Sequence, residues 1–313
     1  MFAYHNRYRY IVFASFFMLV GCQRNNNAHQ HTPIHHTSTN KGTPTQPLSP
    51  SKHVMIVFVH GTVFPLPTRS SVSDFFTHLF NHKKNPFEAY VDRARIGLIY
   101  QYQPIGDYGL ASITPKTDAV VGARWAAQAT MAAFGCLDEY VDASLSLYTF
   151  GWNGQLTQAT RLKRGEQLYE ELSREIASVL AQKNIPRRDL EVIVFAHSHG
   201  GNVALNMATG ANANCNPLVD RLILLGTPVQ KETEALVESP LFKEVLNVYS
   251  KGDSIQTLDF ISTKGSSRRK FKHATTNKLT QINVTIGQTL PSHVELYFFN
   301  GYKNILEFMH NKK

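Results

Sequence analysis

The sequence predicts an α/β domain built on a mostly parallel sheet, and three observations carry that prediction. Apolar runs recur at residues 54–59, 144–150, 191–196, 221–225 and 245–249. The first of them, VMIVFV, is continuous and rich in β-branched residues, the pattern of a strand buried on both faces. Between the runs lie helix-like segments, the clearest at 161–181, where Leu168, Leu172, Ile176 and Leu180 share one face at a spacing near 3.6. Strands alternating with helices in this way build a parallel sheet through right-handed crossovers. At 313 residues, 42% hydrophobic and 18% charged, the chain can bury one large core of this kind.

The amino end lies outside that core. Arg7 and Arg9 precede an apolar stretch at 11–20 that is shorter than the ~20 residues a bilayer span needs, so residues 1–21 read as a signal peptide. The stretch ends in Leu19-Val20-Gly21-Cys22, which resembles the lipobox of bacterial lipoproteins. The resemblance implies that Cys22 receives a diacylglyceryl group and becomes the first residue of the mature protein. Gln23 is non-acidic, which in Gram-negative lipoproteins goes with outer-membrane sorting. The expected location is therefore the cell envelope, with the chain held to the membrane by lipid.

Residues 22–53 are rich in Asn, His, Thr, Pro and Ser and nearly devoid of large apolar side chains. Such a segment cannot bury enough surface to offset its conformational entropy and reads as a disordered tether. Its clustered His29, His31, His35 and His36 fit a solvated polar linker better than a metal site, because nothing fixes a ligand geometry. An oxidising envelope compartment would permit a disulfide between Cys136 and Cys215. The folded domain is expected at 54–313.

Within that domain the stretch FAHSHGGN, residues 195–202, follows directly on the 191–196 run. A nucleophile elbow needs a strand, a sharp turn carrying the nucleophile, and a helix, with small residues two before and two after so that strand and helix can approach. Ala196, Ser198 and Gly200 supply these parts, with Ala196 in place of the usual glycine and Gly201 adding room beyond. Residues 202–207 continue as a helix. A serine attacks carbonyls only if a base takes its proton and a carboxylate orients the base. Downstream, the 245–249 run leads into Ser250-Lys251-Gly252-Asp253, putting a carboxylate at the carboxyl end of a strand. Residues 282–286 read as the last strand, and His293 follows it.

These residues resemble the α/β-hydrolase superfamily, in its lipase and esterase branch. The resemblance runs from residue 54 to the carboxyl terminus. It rests on His60-Gly61 after the first strand, the elbow at Ser198, Leu225-Gly226-Thr227-Pro228, Asp253 and His293. It implies Ser198 as nucleophile, His293 as general base and then acid, and Asp253 as the orienting carboxylate. It also implies an oxyanion hole made by the backbone N–H groups of Thr62 and His199.

Rivals exist for several of these roles. Asp259 follows the same strand as Asp253 but lies deeper in the next segment, and His273 sits in a basic loop with no strand before it. His197 and His199 flank the serine, where a sharp turn points neighbouring side chains away from it, so packing or shielding is their expected role. His60 is expected to hold the oxyanion loop. Trp152 ends a strand near the same rim and suits either an acyl pocket or ordinary packing. The apolar segment 123–134 suits a lid or a scaffold helix equally.

Net charge is +9, and Lys264, Arg268, Arg269, Lys270, Lys272 and Lys278 form a basic run that reads as a solvated loop before it reads as a lipid-headgroup surface. No nucleic-acid motif accompanies the charge. The expectation is a lipid-anchored serine hydrolase acting on carboxylic esters, acyl lipids first among them, with no metal or organic cofactor and no obligate protein partner. An acyltransferase with the same triad and a catalytically silent envelope binding protein are the alternatives.

Overall fold

The structure, a computed structural model, describes residues 52–62, 108–113, 140, 143–211, 216–258, 263, 265, 267–272, 277–285 and 290. All of them belong to one compact unit, Ser49–Lys313. Residues 1–51, where the signal peptide, Cys22 and most of the tether are expected, lie outside the described residues, as do Cys136, Cys215, the 123–134 segment, Asp259, Lys264, His273 and His293.

Seven strands form one sheet: β1 (His53–Val59), β2 (Gly109–Ile113), β3 (Ser144–Gly151), β4 (Leu190–His197), β5 (Val219–Leu225), β6 (Phe242–Tyr249) and β7 (Leu279–Asn283). Their order is β2-β3-β1-β4-β5-β6-β7. Every pairing is parallel except that of β2 with β3. The α-helices are α1 (Gln158–Lys183), α2 (His199–Gly210) and the short α3 (Ile255–Leu258). This is the mostly parallel α/β sheet of an α/β-hydrolase fold.

The apolar runs form strands because both faces of the sheet are buried. Met55, Val57 and Val59 of β1 join Val192, Val194 and Ala196 of β4 in one core, which also takes Leu168, Leu172, Ile176 and Val179 of α1 and Val203 and Leu205 of α2. The alternate residues Val54, Ile56, Phe58, Ile193 and Phe195 form a second core, in which the Phe58 and Phe195 rings stack with centroids 5.7 Å apart. Each fully buried Leu or Ile on α1 contributes about 1.5–3 kcal/mol. That stripe selects which face of the helix turns inward.

Helix α1 starts where Thr157 accepts a hydrogen bond from the Thr160 N–H at 3.3 Å. It stops where Asn184 turns into the left-handed region, at φ 50°, and returns its N–H to the Ala181 carbonyl at 3.3 Å.

The structure extends the sequence reading at three places. Strand β1 begins at His53, one residue earlier than expected, because that imidazole is buried against β3, bonded to Ser144 Oγ and to Ser146 Oγ at 3.1 Å. Burial, and secondarily the Lys183 charge, pushes its pKa down to about 4. The last strand runs over Leu279–Asn283 rather than 282–286. Here Gln281 fixes the register from within the strand: its side chain accepts from the Phe271 N–H at 2.9 Å and donates to the Phe271 carbonyl at 3.1 Å. Strand β2 is additional, an antiparallel edge joined to α1 where Glu171 accepts from the Leu110 N–H at 2.6 Å.

Candidate active site

Strands β1, β4, β5 and β6 lie side by side and parallel, so their carboxyl ends share one rim. Four turns meet there: His60-Gly61-Thr62 after β1, Ser198 after β4, Gly226-Thr227 after β5 and Ser250–Asp253 after β6. The loop after β1 and the loop after β5 therefore flank the serine on either side. This is the position where open α/β sheets place ligands.

Ser198 has φ 49° and ψ −130°. Among the described residues only it and Asn184 have positive φ without being glycine. Asn184 caps a helix, where that conformation is ordinary, whereas the Ser198 geometry costs about 1–3 kcal/mol and persists only where its surroundings impose it. Two hydrogen bonds do so. The Ser198 N–H donates to the Leu225 carbonyl at 2.9 Å, continuing the β4 ladder by one residue, and the Ser198 carbonyl accepts from the Gly201 N–H at 3.0 Å to start α2. Strand passes into helix within a single residue.

Close approach explains the small residues around it. A Cβ on Gly61 would lie 2.8 Å from Ser198 Cβ, and one on Gly200 would lie 2.3 Å from the His60 carbonyl oxygen. The β1 loop thus rests directly on the elbow and on the first turn of α2. Ala196, in the place where glycine is usual, is fully buried in the core that α1 and α2 share with the sheet, where a methyl group packs. The amino terminus of α2 opens at His199, so its backbone N–H groups and the helix dipole favour negative charge beside Ser198.

The β1 loop is braced by two residues whose bond the sequence did not reveal. The Trp152 N–H donates to His60 Nε2 at 3.1 Å, and the Trp152 Nε1–H donates to the His60 carbonyl at 2.7 Å. Because Nε2 accepts, the proton of the neutral imidazole sits on Nδ1, which donates to the Gly61 carbonyl at 2.7 Å. The two rings stack at 5.6 Å. Trp152 is fully buried, so among the described contacts it is a brace for the loop after β1. Thr62 completes that loop; it is 6% exposed, and its hydroxyl has no hydrogen-bond partner among the described residues. His197 and His199 are buried as well, and His197 lies against Gly61.

Asp253 is fully buried in the turn after β6. Its Oδ1 accepts from the Gln256 N–H at 3.2 Å, which caps the short α3. Gln256 also donates from Nε2 to the Thr227 carbonyl at 2.9 Å, tying the turn after β6 to the loop after β5. The Asp253 carbonyl accepts from Arg269 Nε at 3.0 Å and Nη2 at 2.7 Å. One further contact brings Leu290 here: a Cβ on Gly252 would lie 2.5 Å from the Leu290 carbonyl oxygen. Leu290 is three residues before His293.

Four cations of the described part of the basic run have partners, although Lys270 and Lys272 are exposed. Besides Arg269, Arg268 pairs with Glu234 at 3.4 Å, and Lys270 lies 5.2 Å from the centre of the Tyr249 ring. Lys278 Nζ donates to the carbonyls of Glu238 and Ser239 at 2.7 and 2.8 Å. Partners that are main-chain carbonyls or rings leave no charge pattern in a sequence, so the bonds of Arg269 and Lys278 are visible only in the structure.

A family model described as "PGAP1-like alpha/beta domain" matches residues 52–294. That span contains Thr62, Ser198, Asp253 and His293. No curated protein matches the chain.

Proposed function

The chain belongs to the PGAP1-like alpha/beta domain family, an α/β-hydrolase-type family, and from that premise we propose that it is a serine hydrolase cleaving carboxylic esters of acyl lipids through an acyl-enzyme on Ser198. The observation that carries this reading is the backbone of Ser198, φ 49° and ψ −130°, at the junction of β4 and α2. Backbone strain of this kind clusters at active sites, which supports the reading.

In the proposed reaction His293 takes the Ser198 proton while Oγ attacks the acyl carbon and the carbonyl electron pair moves onto oxygen. The N–H groups of His199 and Thr62 receive that oxyanion, each worth about 3–4 kcal/mol in the transition state. Collapse expels the alcohol, protonated by His293, and water then repeats the sequence in reverse to release the acid. Asp253 orients the imidazole. The contact of Leu290 with Gly252 supports this role for His293, since three residues reach at most ~10 Å. The resemblance of residues 19–22 to a lipobox supports anchoring through Cys22 in the cell envelope, outer membrane in a Gram-negative cell.

The test is fluorophosphonate labelling of the full chain beside Ser198→Ala, followed by p-nitrophenyl esters of increasing acyl length. Labelling lost in the variant and turnover rising with acyl length support the reading. A folded parent that neither labels nor turns over would make the elbow a scaffold, and product analysis with a competing alcohol separates hydrolysis from acyl transfer.

A further inference from the structure

Gln256 is fully buried in the short α3, directly after the turn that carries Asp253, and it is bonded in three directions. Its backbone N–H donates to Asp253 Oδ1 at 3.2 Å, and its side-chain Nε2 donates to the Thr227 carbonyl at 2.9 Å. Its own carbonyl accepts from Ser267 Oγ at 2.7 Å. The amide oxygen Oε1 is buried with no hydrogen-bond partner among the described residues, so as core filler this side chain costs more than a methionine of similar length would. What the amide adds is the bond to Thr227.

That bond leads back to the elbow. The Thr227 side chain packs on the first turn of α2, since a Cβ on Gly201 would lie 1.9 Å from Thr227 Oγ1, and the Gly201 N–H is the group that donates to the Ser198 carbonyl at 3.0 Å. Thr227, Gln256 and Asp253 are all fully buried. A continuous line of buried contacts therefore joins Ser198 to the Asp253 carboxylate, and Gln256 is its middle link.

We propose that Gln256 is a positioning residue that sets where the Asp253 carboxylate stands relative to Ser198. The inference rests on Ser198 and Asp253 acting as in the proposed reaction. Nε2 fastens the residue to a main-chain oxygen of the loop that packs on α2, and the N–H then fixes Oδ1 three residues back. Gln256 touches no substrate and exchanges no proton. Arg269 grips only the main chain of Asp253, whereas Gln256 bonds the carboxylate itself.

Gln256→Met tests this in the full chain, since methionine keeps the length and the backbone N–H and removes the amide. Turnover of p-nitrophenyl butyrate is measured per active site, counted by fluorophosphonate titration. The expected result is kcat lower by about 10- to 100-fold, the scale of a displacement of about 1 Å in a catalytic group, with KM little changed. In an Asp253→Asn background the same substitution should cost nothing further, because a group that acts through the carboxylate has nothing left to position. A purely structural role predicts a lower thermal midpoint with parent-like kcat per site. That outcome, or losses that multiply in the double variant, would overturn the inference while impaired Asp253→Asn and inactive Ser198→Ala left the proposed reaction standing. Parent turnover by either of those two variants would overturn both. Should Gln256→Met not fold, Ser267→Ala, which removes only the hydroxyl bonded to the Gln256 carbonyl, decides by the same comparison. A kcat loss in the parent that vanishes in Asp253→Asn supports the proposal, and no loss, or a loss of equal size in both backgrounds, overturns it.

Discussion

The carbonyl oxygen of Asp253 receives two N–H groups from the guanidinium of Arg269, Nε at 3.0 Å and Nη2 at 2.7 Å. The turn after β6 is therefore pinned by a cation sixteen residues further along the chain, and Arg269 is itself held where its carbonyl accepts from Asn247 Nδ2 of β6 at 2.9 Å.

Loosening that pin should disturb catalysis more than binding. Arg269→Ala is expected to lower kcat about 10- to 100-fold, the scale of a displacement of about 1 Å in a catalytic group, with a smaller effect on KM. Arg269→Lys, which offers one point donor instead of a fork, should fall between the two. Steady-state kinetics over a pH series separates this positioning role from a surface charge effect, which salt would screen.

Trp152→Phe removes the Nε1–H that donates to the His60 carbonyl at 2.7 Å. Loss of that buried bond should cost about 1–3 kcal/mol, read as a shift in the urea midpoint. The β1 loop would lose one of its two braces, so kcat should drop as well. The expected signature is a rate loss that persists in conditions where the variant is fully folded.

Gly61→Ala places a methyl group 2.8 Å from Ser198 Cβ, closer than any ordinary contact. The loop or the elbow must move. Overpacking of this kind costs about 1–3 kcal/mol in stability, and labelling of Ser198 by a fluorophosphonate should slow markedly. Parent-like labelling would show that the contact does not constrain the elbow.

His53 gives a pH dependence with a definite sign. Its folded-state pKa is lowered from 6.5 to about 4, chiefly by burial and then by Lys183. Between those values the unfolded chain binds a proton that the folded chain does not, so the native state loses stability as pH falls through the window. The loss is absent above about 6.5 and complete below about 4. Comparing denaturant midpoints of the parent and His53→Gln across this range should show the parent's advantage shrinking only inside it.

The strands that could be read from sequence were those buried on both faces, where almost every residue must be apolar. Strand β2, with the sequence Gly-Leu-Ala-Ser-Ile, is half exposed at the sheet edge and held by its pairing with β3 and by Glu171, so it carries no such run. Strand β7 is partly exposed along its length, and its register comes from the Gln281 bonds to Phe271, which pulled its start three residues earlier than the apolar residues Ile282 and Val284 implied. In the site, the turns at strand ends were legible because the chemistry names its residue types: a serine between small residues, a carboxylate after a strand. What holds those turns was not legible. The bonds of Trp152 to His60 and of Arg269 to Asp253 run through main-chain atoms, which look alike at every position in a sequence.

The most direct test of the central claim is fluorophosphonate labelling of the full chain, followed by identification of the modified residue and repeated on Ser198→Ala. The account predicts a single stoichiometric adduct on Ser198, absent from the variant, with ester turnover lost in parallel. A folded parent that stays unlabelled, or an adduct on another residue that survives Ser198→Ala, would contradict it.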